Sequence, residues 1–311
     1  MTAPSGAAVA IVGPTASGKS ALALEVASSR PAAEILCVDA MTVYRGMDIA
    51  TAKASLKERA TIAHHLLDLV GPNEDFTVAE FQRAARVAES EVWARGADIV
   101  YVGGTGLYGR AVLDRLTIPG QYPDIRAALE RDATSNLPAL YAELVDRDPI
   151  AAARMEPTNG RRVVRALEVI RGSGQLFSSF GEGLGHYPPA RVIQIALRVE
   201  KAELDRRIEE RFRSWMDDGL LDEVARLAQT PGGLSRTARQ AVGYKELLAH
   251  VEHGADLESC VQEAIVHSRQ LARRQRSWFE RDPRVEWFES VDGARDRALA
   301  VLTGAEGRVR D

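Results

Sequence analysis

The apolar positions of this chain fall first into short runs, each closed by small or acidic residues. Residues 7–12 run into Gly13-Pro14, residues 35–38 into Asp39, and residues 99–102 into Gly103-Gly104. Runs of four to six apolar residues bounded by turn formers predict strands buried on both faces. Between the first two, the Ala- and Leu-rich stretch 20–29 predicts a helix. Short apolar strands alternating with helices predict a parallel sheet covered by helices on both sides. From about residue 119 to 188 the pattern changes to helical stretches broken at Gly172-Ser173-Gly174 and again over 181–189. This predicts an inserted helical domain over 119–188, with 1–118 and 189–311 forming the core. Residues 191–199 alternate apolar positions (Val192, Ile193, Ile195, Leu197, Val199), which predicts a return to the sheet. Charged helices are expected over 201–281, a last short strand over 285–288, and a polar tail over the last dozen residues.

Composition narrows the class. The chain has 311 residues, 45% apolar and 27% charged, enough to bury a sizeable core and unlike a disordered chain. No run of about 18 apolar residues occurs, and no basic region precedes the short apolar stretch at the start, so neither membrane spanning nor secretion is expected. Cys37 and Cys260 lie far apart with no CxxC pair, which predicts neither a disulfide framework nor a zinc motif and makes the cytoplasm the expected compartment. The net charge of −4 argues against nucleic-acid binding when taken globally. Local placement argues the other way: Arg154, Arg161, Arg162 and Arg165 cluster ahead of Arg171, and a second Arg-rich segment covers 267–284.

The candidate chemistry begins at residues 13–20, GPTASGKS, which fit the phosphate-loop pattern GxxxxGK[ST] in its required place between strand and helix. In such a loop the backbone amides of Gly13, Thr15, Ala16, Ser17 and Gly18 curl around phosphate, Lys19 reaches it, and the Ser20 hydroxyl can ligate Mg²⁺. A nucleotide or a pyrophosphate ester presents the same group to it. Asp39 ends the second strand, at the sheet edge where ligands gather. Three roles are open to it: a turn or helix cap, a Mg²⁺ ligand, or a general base. Residues 103–108, GGTGLY, follow the third strand, where small residues permit close backbone approach and Thr105 offers a hydroxyl. Arg207 and Arg211 share a helix face, as do Arg269 and Arg273 with Arg276; taken alone, either stripe reads as a solvated face paired with Glu203, Glu209 or Glu210. His64-His65, adjacent on a helix, would point apart and are assigned to structure rather than to a metal.

Taken together, these segments resemble the bacterial tRNA dimethylallyltransferases. The resemblance rests on residues 13–20, DAMTVYRGMDIATAK over 39–53, HHLLDL over 64–69 and VGGTGLY over 102–108. It continues with RRVVRALEV over 161–169, RIEERF with DDGLLDEV, RQAVGYKE over 239–246 and RQLARRQRSWF over 269–279. These span nearly the whole chain in the family's order. The resemblance implies a phosphate-loop NTPase-like α/β core with an inserted helical domain. It implies transfer of a dimethylallyl group from its pyrophosphate to the exocyclic amine of the adenosine 3′ of the tRNA anticodon, with Mg²⁺ as cofactor and a monomeric enzyme. The loop would then bind a leaving group, assisted by Arg207 or Arg211, with Asp39 as base and Thr105 orienting the adenine. Contacts to the anticodon stem-loop are implied at Asp39, Ala40, Met41, Thr42, Thr105, Arg126, Arg161, Arg162, Arg165, Arg239, Gln240, Gly243 and Tyr244. Three positions depart from the family pattern: Ala40 stands where serine is frequent, Ala50 where glycine is usual, and Thr158-Asn159 where Asn-Asp is common. Ala50 would alter a turn if that turn required positive φ. Competing readings are prenyl transfer to a free adenine nucleotide, a small-molecule kinase and a nucleotide-gated binding module.

Overall fold

The computed structural model describes residues 6–304; the expected polar tail, from residue 305 on, lies outside the described residues. The chain divides into two compact units, Met1–Arg115 with Pro189–Asp311, and Leu116–Pro188.

The first unit is built on six parallel strands: β1 (Ala8–Val12), β2 (Ala33–Cys37), β3 (His64–His65), β4 (Asp98–Gly103), β5 (Ile193–Leu197) and β6 (Val285–Phe288). Their order is β3-β2-β4-β1-β5-β6. The unbroken apolar runs have a direct cause. Val9 and Ile11 of β1 pack with Val100, Ile195 and Leu197 on one face, beneath the helices Lys19–Ser28 and Val291–Leu302. Ala8, Ala10 and Val12 pack on the other with Leu36, Ile99 and Tyr101, beneath the helix Val78–Ala94. Both faces are dry, so alternation disappears from the central strands. The chain leaves β1 toward β2 on one side, while β5 takes up the other. The carboxyl ends of β1, β2 and β4 therefore bound a crevice of the kind in which open α/β sheets bind ligands.

β3 corrects the helical reading of His64-His65. These residues pair in parallel with Ile35 and Leu36 of β2, and two residues are too short a strand to show a period. The structural assignment suits their contacts: His65 Nε2 lies 2.5 Å from Glu34 Oε2, and His64 Nδ1 lies 2.8 Å from the Ile62 carbonyl.

The second unit is helical, with Pro123–Arg147, Pro149–Ala152 and Gly160–Ser173 closing on Leu129, Leu144, Val163 and Leu167. The long first helix kinks at Asn136, whose side chain caps the Ala139 amide at 3.2 Å ahead of Pro138. Asn159 caps the helix Gly160–Ser173 by accepting from the Arg162 amide, so asparagine there serves as a good cap in its own right. Glu168 is fully buried. It accepts the Tyr122 amide at 2.8 Å and faces Arg165 Nη1 at 2.9 Å and Arg126 Nη1 at 3.6 Å. Among the described residues no helix is long and apolar enough to cross a membrane.

Candidate active site

The loop after β1 turns through Gly13 (φ 136°), Ala16 (φ 63°) and Gly18 (φ 95°) before the helix Lys19–Ser28 begins. Gly18 caps that helix in the left-handed region, where a side chain would be strained. The first turn of the helix carries no acidic residue, so its positive end stands uncompensated. Ser17 Oγ is buried and has no hydrogen-bond partner among the described residues. A buried orphan hydroxyl at the centre of such a loop is a donor awaiting an acceptor.

Two cations stand over the loop. Among the described residues Lys19 Nζ donates only to the Pro14 carbonyl, at 3.2 Å. Burial, reinforced by the charge of Arg211 and opposed by Asp39, pulls its ammonium down to about 8. Arg211, from the helix Lys201–Asp217, donates to Thr15 Oγ1 at 2.5 Å and lies 4.6 Å from the centre of the Trp215 ring. Burial pulls its guanidinium down to about 10, still charged at neutral pH. Arg207, one turn earlier, pairs with Glu203 at 2.7 Å and stays largely exposed; it does not line the cavity beside the loop.

Asp39 and Thr105, 66 residues apart, meet across the ends of β2 and β4. The Thr105 hydroxyl donates to Asp39 Oδ2 at 2.9 Å, and Asp39 Oδ1 accepts the Met41 amide at 2.9 Å. Asp39 thus shapes its own turn with one oxygen and keeps the other at the crevice. Thr105 stands at the N-cap of the helix Gly106–Leu113 without capping it; its hydroxyl is turned to Asp39 and accepts the Ala40 amide at 3.3 Å.

The glycines of this loop prove to serve packing within the protein. A Cβ at Gly103 would stand 2.0 Å from the Val38 carbonyl oxygen, at Gly104 2.6 Å from Gln275 Nε2, and at Gly106 2.1 Å from Trp278 Nε1. Gln275 also accepts the Thr15 amide at 2.7 Å. A cavity of about 220 Å³ lies among these groups. Lys19, Ser20, Asp39, Arg211 and Gln275 supply its polar wall, and Leu24, Ile35, Cys37, Leu67 and Trp215 its apolar one. Met41, Thr42 and Tyr244 also line it.

Gln275, Trp215 and Lys53 line the cavity and Glu223 braces its wall; sequence reasoning singled out none of the four. The Lys53 side chain is fully buried, its ammonium on the Tyr44 carbonyl, Asp48 and Asp68, and it fixes the cavity wall 44–68. Within that wall Ala50 has no positive φ, whereas Ala52 does (51°); the substitution at 50 therefore strains nothing, and its methyl packs toward Gly243. Tyr244 is buried and donates to Glu223 Oε1 at 2.6 Å, while the same oxygen accepts the Asp48 and Ile49 amides. Of the residues expected on RNA, Arg161 and Arg162 are exposed. Arg165 is held by Glu168 and by the Pro119 carbonyl at 2.8 Å, and Arg239 by both oxygens of Glu252. Among the described residues no cluster of three His, Cys, Asp or Glu could hold a metal. Cys37 and Cys260 are buried and free.

Comparison with known proteins agrees with this layout. The chain is 42% identical over 304 residues to the tRNA dimethylallyltransferase of Bifidobacterium animalis subsp. lactis, covering 96% of this chain and 87% of that one. Among solved structures it resembles the tRNA isopentenylpyrophosphate transferase of Bacillus halodurans, at 34% identity and a TM-score of 0.69 over 96% of this chain and 99% of that one. The corresponding transferase of Staphylococcus epidermidis follows at 31% and 0.67, over 95% and 98%. A parallel sheet wrapped by helices, with an extra helical unit, is common to all three structures. The sequence profile described as IPP transferase matches residues 42–282, and with a match of that extent the chain belongs to the IPP transferase family.

Proposed function

We propose that this enzyme transfers a dimethylallyl group from dimethylallyl pyrophosphate to N6 of the adenosine 3′ of the anticodon in cytoplasmic tRNA, releasing pyrophosphate. One observation carries the reading: Asp39, held by Thr105, lines the same cavity as Lys19 and Arg211, two cations at the phosphate loop that among the described residues bond only neutral oxygens. The bond from N6 to the allylic C1 forms as the C1–O bond to pyrophosphate breaks. The electron pair leaves with pyrophosphate, where the loop amides, Ser17, Lys19 and Arg211 stabilise the developing charge. The N6 proton passes to Asp39 Oδ2. Thr105 holds that carboxylate and orients the adenine, and the apolar wall with Trp215 shelters the allylic chain from water.

Mg²⁺ would be held on the protein side by the Ser20 hydroxyl at the start of the helix 19–28, and with no carboxylate cluster to cage it among the described residues it would depend on the substrate for its remaining ligands. When bound, it neutralises charge on the leaving group. An adenosine within the stacked anticodon loop must be flipped to reach the crevice. The exposed Arg161 and Arg162 suit phosphate contacts, while Arg126 and Arg165, held by Glu168, are suited to a fixed register on the RNA backbone. Met41 and Thr42 are assigned to the side that receives the flipped base, with buried Tyr244 backing that wall from within and Ala40, Arg239, Gln240 and Gly243 beside it. The test is mass spectrometry of nucleosides from unmodified tRNA incubated with the enzyme, dimethylallyl pyrophosphate and Mg²⁺, with adenosine monophosphate as the competing acceptor. Isopentenyladenosine in tRNA alone is expected; prenylated nucleotide, or none in either, would reject the reading.

A further inference from the structure

We propose that Gln275 is a positioning residue for this transfer, holding the phosphate loop at a fixed distance from the Asp39–Thr105 pair. The inference rests on the function proposed above and adds a residue to it. Gln275 lies on the helix Leu257–Glu280, on the stripe that buries Ser268, Ala272 and Phe279. Its carbonyl oxygen accepts the Thr15 amide at 2.7 Å. Its Nε2 lies so close to Gly104 that a Cβ there would come within 2.6 Å of it. One planar amide therefore touches the loop that receives the leaving group and the loop whose next residue, Thr105, holds Asp39 Oδ2. A Cβ at Gly104 would also lie 3.1 Å from the Gly13 carbonyl oxygen, so the two loops are in direct contact at this point. One turn along, Trp278 lies against Gly106 and seats the same helix face on the second loop.

Fixed separation matters because the reaction moves charge in one line, from the amine through C1 to pyrophosphate. A displacement near 1 Å in such an arrangement costs about 10²-fold in rate. Gln275 also occupies the Thr15 amide, so anion binding falls to the amides from Ala16 onward, at the left-handed turn. No other side chain described above touches both loops.

The experiment uses the whole enzyme with the variants Gln275→Met, which keeps length but loses the acceptor, and Gln275→Asn, which stays polar but is too short to span both loops. Single-turnover prenyl transfer is measured beside equilibrium affinities for tRNA and for dimethylallyl pyrophosphate, with circular dichroism melting as a control. Both variants are expected to lose about 10- to 100-fold in rate with affinities changed less than about threefold. In a Thr105→Val background the Gln275→Met loss is expected to shrink, because both changes break one linkage. Near-normal rates in either variant, a loss confined to the affinities, or multiplicative effects in the double variant would each overturn the proposal. An inactive wild type would instead overturn the function on which it rests.

Discussion

Replacing Lys19 with Met should stabilise the free protein while abolishing turnover. In the absence of ligand the ammonium rests on one carbonyl and faces Arg211, and its pKa falls from 10.5 to about 8. At about 1.4 kcal/mol per pH unit that fall corresponds to roughly 3 kcal/mol against the charged form. The residue keeps part of its surface in solvent, and screening reduces the penalty to about 1–2 kcal/mol. Its sign is set by the direction of the shift. A base whose folded value is depressed destabilises the fold fully below pH 8, and the penalty fades as pH rises from 8 to 10.5. Whatever Met adds by apolar burial does not depend on pH, so the pH-dependent part isolates the charge. Calorimetric melting at pH 6.5, 8 and 9.5 should place Lys19→Met above wild type by about 2–4 °C at the lowest pH, narrowing toward the highest. Pyrophosphate should reverse the order, because it binds and stabilises only the wild type to a large extent. A difference constant across pH, or a wild type more stable at pH 6.5 without ligand, would refute the account of an uncompensated cation.

Asp39→Asn keeps the turn-forming oxygen but cannot take a proton, so single-turnover transfer should fall about 10²- to 10⁴-fold with little change in binding; rescue by excess Mg²⁺ would instead make Asp39 a metal ligand. Arg211→Gln should weaken dimethylallyl pyrophosphate binding and lower the rate at least tenfold, whereas Arg207→Gln, which removes only an exposed pair with Glu203, should leave both within about twofold; equal losses measured side by side would contradict the division. Tight binding of tRNA should fall steeply with salt, and Arg161→Gln with Arg162→Gln should flatten that slope by about two on a log–log plot. Glu168→Gln should leave the slope intact but shift transfer kinetics through Arg126 and Arg165; an unchanged double-Arg slope would move the RNA surface elsewhere.

The sheet was legible where burial on both faces left unbroken apolar runs, at β1, β2 and β4, and the last strand was found at its observed bounds. β3 was not legible because a two-residue edge strand held by its neighbour has no period of its own. The phosphate loop could be read because its chemistry is local. The Asp39–Thr105 bond could not, since each residue drew notice singly while their meeting depends on strand order. Arg207 and Arg211 share a face by spacing, yet the approach of their helix brings only the second to Thr15. Gln275 was the least visible. A glutamine on the buried stripe of a helix 260 residues from the loop it holds has no local signature, and the close backbone approach expected at residues 103–106 does not say that a side chain covers Gly104.

Several arginines outside the site are committed to carboxylates, and the two cations of the site are not. Arg206, Arg207, Arg269 and Arg284 each lie against a carboxylate at 2.9 Å or less. On an acidic chain that is the cheap arrangement, and it makes those arginines poor ligands for an incoming anion, because the pair must first be broken. Lys19 and Arg211 depart from this together: both are half-buried, burial lowers the pKa of both, and among the described residues neither has a carboxylate in ion-pair contact. Asp39, the acidic group they share the cavity with, is bonded by neutral donors from Thr105 and Met41. Had these three groups closed on one another, the crevice would be neutral and stable, and pyrophosphate would have to compete with Asp39. Held apart, they suit the function proposed above, in which the cations would take the leaving group and the carboxylate the proton. On that proposal, uncompensated cations in the free site are the physical counterpart of selectivity for a substrate that brings its own negative charge.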